Sequence, residues 1–244
     1  MHRLLLLLTL LPLGLAAQPA STGQVLIEVR AFWGKTPLST GRSFVSSDGD
    51  TLTVQKWKWY FRALQLHNAQ GTVDPGLPPR LIDLAERRSG QIRWDGVPAG
   101  TYRELNFGVG MDSAQNTAPE FTGDLDPVNG MYWTWNTGFI QAKFEGRLGH
   151  RPGQKFEFHI GGYRAPYGTS REVRLHLAKK NAVTVEAGKL TRLILQVDLR
   201  AAFRKYIRTK ASEPMMVMSP GENAARIADR FPAMFRLVPY PKAK

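Results

Sequence analysis

The chain has 244 residues, carries 33 Lys and Arg against 20 Asp and Glu for a formal charge of +13, and contains no cysteine. The missing cysteines exclude disulfide staples, thiolate metal centres and thiol nucleophiles, so a metal site must draw on nitrogen, oxygen or thioether donors. The positive charge is scattered over pairs such as Arg87-Arg88, Lys179-Lys180 and Arg204-Lys205. No Lys/Arg run has nucleic-acid-binding length, and nucleic acid is not expected as a partner.

Residues 2–17, HRLLLLLTLLPLGLAA, join a basic start to an apolar run interrupted by Pro12 and end in small residues beside Gln18. That pattern predicts a secretory signal over 1–17, cleaved near Ala17/Gln18, and a periplasmic or secreted mature protein. The apolar run is too short for a helix to cross a hydrocarbon layer of about 30 Å, so no stable membrane insertion is expected. Residues 18–244 are read as one domain, since all-β domains of this length are common as single units.

Alternation of period 2 dominates the rest. Val25, Ile27 and Val29 take one side of a first strand; Leu52 and Val54, then Trp57, Trp59 and Phe61, line another, and the change of parity between those two sets predicts a bulge. Ile92 and Trp94 precede a Pro98-Ala99-Gly100 turn, and Leu105, Phe107, Val109 and Met111 alternate after it. Further strands follow at Ile140, Ala142 and Phe144; at Phe156, Phe158 and Ile160; at Val173, Leu175 and Leu177; and at Val183 and Val185 before Leu193, Leu195 and Val197, with Gly188 as a hairpin turn between the last two. Only 199–208 and 221–231 read as helices. The expectation is an all-β, antiparallel β-sandwich of about 8–10 strands with one or two short C-terminal helices.

The densest chemistry lies between Phe107 and Tyr163. Trp133 and Trp135, two apart, project to one side of an extended segment. His159 falls on the polar side of its strand, opposite Phe156, Phe158 and Ile160, and is the leading metal-ligand candidate. His176 shares the polar side of its strand with Arg174 and is a second candidate. His67, a third, ends a strand beside Asn68, where a role in the turn is the alternative. Asp112 and Asn116, near Asp124 and Asp126, make an oxygen-rich group that would suit calcium, although the spacing is not that of an EF-hand and Asx-turns account for it equally. Met215, Met216 and Met218 are thioether donors for Cu(I) or packing residues.

The runs GMDSAQN (110–116), LDPVNGMYWTWNTG (125–138), KFEG (143–146), FEFHIGG (156–162) and VMSPGENAARIADRFPAMF (217–235) together resemble the MbnP-like copper-binding proteins, the methanobactin-associated periplasmic family, over roughly Gln24 to Leu237. The resemblance implies an exported sandwich that binds copper through histidine and, in some members, through a kynurenine formed from a tryptophan, here Trp133 or Trp135. It also implies a di-haem peroxidase-like (MbnH-like) partner that performs the oxidation. An intact indole offers an N–H donor and no basic lone pair, whereas the arylamine of kynurenine is a nitrogen donor of the kind copper accepts. One departure stands out: where the family often has histidine in a Tyr-His-Leu-Ile-Asp stretch, this chain reads PRLIDL, with Arg80.

No G-x-S-x-G elbow, H-E-x-x-H helix or phosphate loop occurs. Glu145 and Glu157 are an acid–base pair only if their strands bring them face to face. The chain therefore reads as a copper carrier and not an enzyme; the alternative is an interaction module that docks the aromatic stretch 131–139 on a glycan or surface protein.

Overall fold

A computed structural model describes residues 21–46, 49–117, 121–134, 138–149, 154–207 and 215–241; the predicted signal segment and Trp135 lie outside them. The first strands are β1 (Thr22–Trp33), β2 (Thr36–Pro37), β3 (Ser43–Val45), β4 (Thr51–Asn68), β5 (Gly71–Val73) and β6 (Arg80–Asp83). They are followed by β7 (Gln91–Pro98), β8 (Gly100–Tyr102), β9 (Glu104–Val109), helix α1 (Ser113–Thr117) and β10 (Tyr132–Trp133). Next come β11 (Gly138–Leu148), β12 (Lys155–Gly161), β13 (Arg171–His176), β14 (Val183–Val185), β15 (Leu190–Asp198) and α2 (Arg200–Phe203). The described chain closes with β16 (Met216–Val217), α3 (Glu222–Ala228) and β17 (Phe235–Pro239).

Two sheets enclose the core. One has the order β17-β15-β1-β2 with β7 also on β1; the other runs β13-β9-β4-β11-β12-β16, with β3, β5, β6 and β10 as short flanking strands. Inward residues of the first sheet (Ile27, Trp94, Leu195, Leu237) and of the second (Trp59, Phe107, Phe144, Phe158) belong to one buried cluster. This is the all-β sandwich that the alternation predicts. Seven strands span only two or three residues, so the strands of four or more residues number ten among those described. Two pairings, β1 with β15 and β12 with β16, run parallel. Alternation assigns a residue to a face and is blind to strand direction, so it does not distinguish these from antiparallel pairs.

The parity change in β4 is a bulge. Glu145 pairs with Lys56 but Gly146 with Val54, which leaves Gln55 as the extra residue. Gly146 opposite it has no room for a side chain: a Cβ would lie 2.3 Å from the Thr53 carbonyl and 2.2 Å from the Phe156 ring. Gly188 does turn with φ +69°, but β14 pairs with β8 and not with β15, so the expected hairpin is not formed. The predicted helix at 199–208 is helical only over Arg200–Phe203, while that at 221–231 forms as α3.

A second, smaller apolar cluster sits on the opposite, outward side of the larger sheet. Tyr60 on β4 and Leu81 on β6 pair with one another and face away from the main core, and Met111, Leu125 and the stretch from Met131 to Trp133 pack over them. Met111, Met131, Trp133, Phe139 and Ile140 complete the cluster. A single face of β4, β11 and β12 thus carries a buried aromatic patch at one end and a charged row at the other.

Candidate functional site

The charged row follows from strand register. On the outward side of the large sheet Lys143 is opposite Lys58 and His159, and Glu145 is opposite Lys56 and Glu157. His159 Nε2 lies 2.8 Å from Glu145 Oε1, and the other carboxylate oxygen takes Lys56 Nζ at 2.9 Å. The His159 and Glu145 side chains are only 12% and 13% exposed. Hydrogen bonding from His159, followed by Lys56, outweighs the cost of burial and holds the Glu145 carboxyl down to about 2. Lys143 is buried and donates to the Gly130 carbonyl; burial lowers its pKa, and the neighbouring Glu145 opposes that while Lys56 and Lys58 add to it. Lys58 is spent on Asp83 at 2.9 Å. Glu145 does face Glu157, yet its two oxygens are engaged by His159 and Lys56.

The aromatic patch abuts this row. Gly161 follows His159 by two residues on β12 and shares its side, so their side-chain positions are separated by roughly 7 Å along the strand. The Trp133 ring occupies the place a Gly161 side chain would take: a Cβ there would meet its Cζ3 at 2.5 Å and Cη2 at 2.9 Å. The indole of Trp133 and the imidazole of His159 therefore occupy neighbouring positions on one face. Thioethers lie on the same side. Met111 and Met131 are buried in the cluster with Trp133, and Met216 is in register with Glu157 at the sheet edge. Alternation assigns Met111 to the apolar side of a strand, so neither it nor Met131 is among the donors the sequence points to; the i, i+2 relation of Met131 to Trp133 is the signal available for one of them.

The covering segment is held from below. Burial, with a smaller contribution from Asp124, pushes the Tyr60 phenol up. Its hydroxyl donates to the Asp124 carbonyl at 3.3 Å, while the Asp124 carboxylate accepts the Leu81 N–H at 3.0 Å and pairs with Arg80 at 3.4 Å. Arg80, standing where the resemblance implies a histidine, thus anchors the segment through Asp124. Phe139, then Tyr132, then Phe121 continue outward from Tyr60, with ring centroids 5.4, 5.2 and 4.8 Å apart in succession. Phe121 is 42% and Val128 85% exposed.

The remaining candidates have other partners. Asp112 accepts the Gln115 N–H at 2.8 Å, an Asx-type cap on α1. Buried Asn116 donates to the carbonyls of Met111 (3.2 Å) and Asp112 (2.8 Å) and accepts the Phe139 N–H at 2.9 Å. Both residues serve backbone groups, and among the described residues no group of three or more His, Cys, Asp or Glu is arranged to hold a metal ion, which leaves calcium without support. Asn116→Leu is expected to orphan the Met111 carbonyl and the Phe139 N–H, while the Asp112 carbonyl keeps the backbone N–H of residue 116 at 3.0 Å, and to cost about 1–2 kcal/mol, read as a lower urea midpoint at unchanged slope.

His67 and His176 come together at the far end of the same sheet, flanking Glu104 on β9 in register. His176 Nδ1 lies 2.8 Å from Glu104, and the two nitrogens of His67 meet Thr72 at 2.7 Å and Asn106 at 2.8 Å. The structure therefore divides the sequence candidates: His159 and Trp133 share one region, His67 and His176 another, and Trp135 lies outside the described residues.

A family model described as MbnP matches residues 22–219. A search of curated proteins gives no match. Among solved structures, MbnP from Methylosinus trichosporium matches with a TM-score of 0.59 at 13% identity, covering 90% of this chain and 99% of that one. Likeness at that identity establishes the fold, and the family match over most of the chain establishes the kinship: the chain belongs to the MbnP family.

Proposed function

We propose that this protein is an exported copper-handling protein that holds the metal on the outward face of β12, with the His159 imidazole and a modified Trp133 as its nitrogen donors. The observation that carries the reading is the seat of the Trp133 ring on Gly161, the next outward position after His159. The donor chemistry supports it: one imidazole with thioethers from Met111, Met131 and Met216 nearby suits soft Cu(I), and oxygen-preferring cations find little there. Copper is the cargo, and the chain's own part is to hold soft donors on rigid strands. No helix among the described residues is long and apolar enough to cross a membrane.

Modification of Trp133 needs an oxidant, supplied on this reading by peroxide through a di-haem peroxidase-like (MbnH-like) partner. Two peroxides cleave the indole C2–C3 bond and leave both oxygens on the product as ketone and N-formyl group, releasing two waters. Hydrolysis then removes formate and bares the arylamine. The indole N–H, a donor without a basic lone pair, becomes an amine, and the residue gains about 4 Da. Exposed Phe121 and Val128 beside the Trp133 segment give a partner an apolar contact.

Two measurements test the reading. Peptide mass spectrometry on protein from its native host is expected to find the added mass on Trp133, and an unmodified Trp133 in copper-loaded protein would remove the kynurenine step. Copper titration is expected to lose its tight phase in His159→Ala and in Trp133→Phe, and equal uptake by wild type and both variants would sink the site. In that event exposed Phe121 and Val128 support the other reading, a module docking on a glycan or surface protein, with the buried Trp133 and Phe139 behind them.

A further inference from the structure

We propose that the end of the sandwich where β1, β15 and α2 meet binds a small multivalent oxyanion of the phosphate class. Two cavities meet at Asp198 there. One of about 420 Å³ is lined by Arg200, Arg204, Lys205 and Arg230, and one of about 510 Å³ by Lys35 and Arg236. Among the described residues Asp198 is the sole carboxylate in either lining, and Arg200, Arg230, Lys35 and Arg236 share the linings with it.

That carboxylate is itself committed to the backbone. Asp198 Oδ1 accepts the N–H of Gly34 at 2.8 Å and of Arg200 at 3.0 Å, which joins the end of β1 to the start of α2. Among the described residues no ion pair links Asp198 to an Arg or Lys. Arg200 Nε is buried and meets no acceptor among the described residues. A guanidinium nitrogen removed from water without an acceptor forfeits its hydration, and a surplus of like charge around it adds repulsion. A water molecule would repair the hydrogen bond and leave the charge surplus standing. An oxyanion with two charges would repair both, and the planar guanidinium fork matches phosphate oxygens.

Arg200 and Arg230 are the pair on which the site depends, one at the base of the cavity and partly buried, the other exposed at its rim. The site is independent of the copper face: it lies beyond the C-terminal ends of β1 and β15 in the smaller sheet, whereas His159 and Trp133 belong to the larger one.

The full chain, in chloride buffer free of phosphate, is titrated with inorganic phosphate by calorimetry. Saturable uptake is expected, weakening as sodium chloride is raised. Arg200→Gln and Arg230→Gln are each expected to weaken it by about tenfold or more, the value of a charge-assisted hydrogen bond. Arg93→Gln, on β7 at the opposite end of β1, leaves it unchanged. The exposed Arg230 variant keeps the test decisive should Arg200→Gln fail to fold. No saturable uptake by wild type, or wild-type uptake by Arg230→Gln, overturns the proposal. Capture on phosphatidylglycerol vesicles without uptake of free phosphate also overturns it, in favour of a lipid surface.

Discussion

Gly161→Val is expected to lower stability by about 3 kcal/mol, the upper end of the ordinary cost of overpacking, and to expel the Trp133 ring from its seat. The cause is space: a Cβ at Gly161 would lie 2.5 Å from the Trp133 ring and 2.9 Å from the Phe139 carbonyl, so ring and backbone both resist it. Valine adds two methyls to that collision. Since Trp133 belongs to a buried cluster with Met111, Met131 and Phe139, its displacement should loosen the whole covering segment while the main core stays packed. Denaturant unfolding reads the cost, and tryptophan fluorescence of the folded state reads the ring's new environment. Gly161→Ala should do the same to a smaller degree. Copper uptake should fall in both variants even though His159 is untouched, because the tryptophan-derived donor no longer stands beside it. Unchanged stability together with unchanged fluorescence in Gly161→Val would show that the ring is not confined there.

The sequence makes the faces of this sandwich legible because one face of nearly every strand is apolar. Phe156, Phe158 and Ile160 point inward and His159 outward, as their alternation requires, and the parity break in β4 marks the bulge at Gln55. What alternation lacks is the identity of the neighbour. It cannot say that β15 lies parallel to β1, that β14 abandons β15 for β8, or that register gathers His67, Glu104 and His176 into one row. The second cluster was hidden for a related reason. Tyr60 stands at an outward position of β4 and would be read as solvent-facing, and only residues some fifty to eighty positions later bury it. Asn116 and Asp112 look like oxygen ligands in sequence because the same side-chain atoms that would hold a cation also close turns, and only the positions of backbone N–H groups separate the two uses.

Glu145 should govern how the outward face responds to acid, and Glu145→Ala is expected to cost about 2–3 kcal/mol, toward the low end for breaking a buried pair. The carboxylate meets His159 and Lys56 directly and its charge favours the cationic form of buried Lys143, so its removal leaves Lys56, Lys58 and Lys143 facing one another with little water to screen them. Lys56 is half exposed, which moderates the loss. The pH dependence has a definite sign. The folded-state pKa of Glu145, about 2, lies below its ordinary 4.5, so in the window between them the unfolded chain binds more protons. The contribution is therefore complete above pH 4.5 and is lost as pH falls toward 2; a lowering of this size corresponds to about 3 kcal/mol before screening is allowed for. Urea midpoints measured from pH 6 down to pH 2 should decline more steeply in wild type than in Glu145→Gln, which has no proton to gain at that position. Parallel curves for the two proteins would mean that the carboxylate is not held by His159 and Lys56. In that case the imidazole, no longer fixed by Glu145, would lack the orientation that the proposed copper site requires.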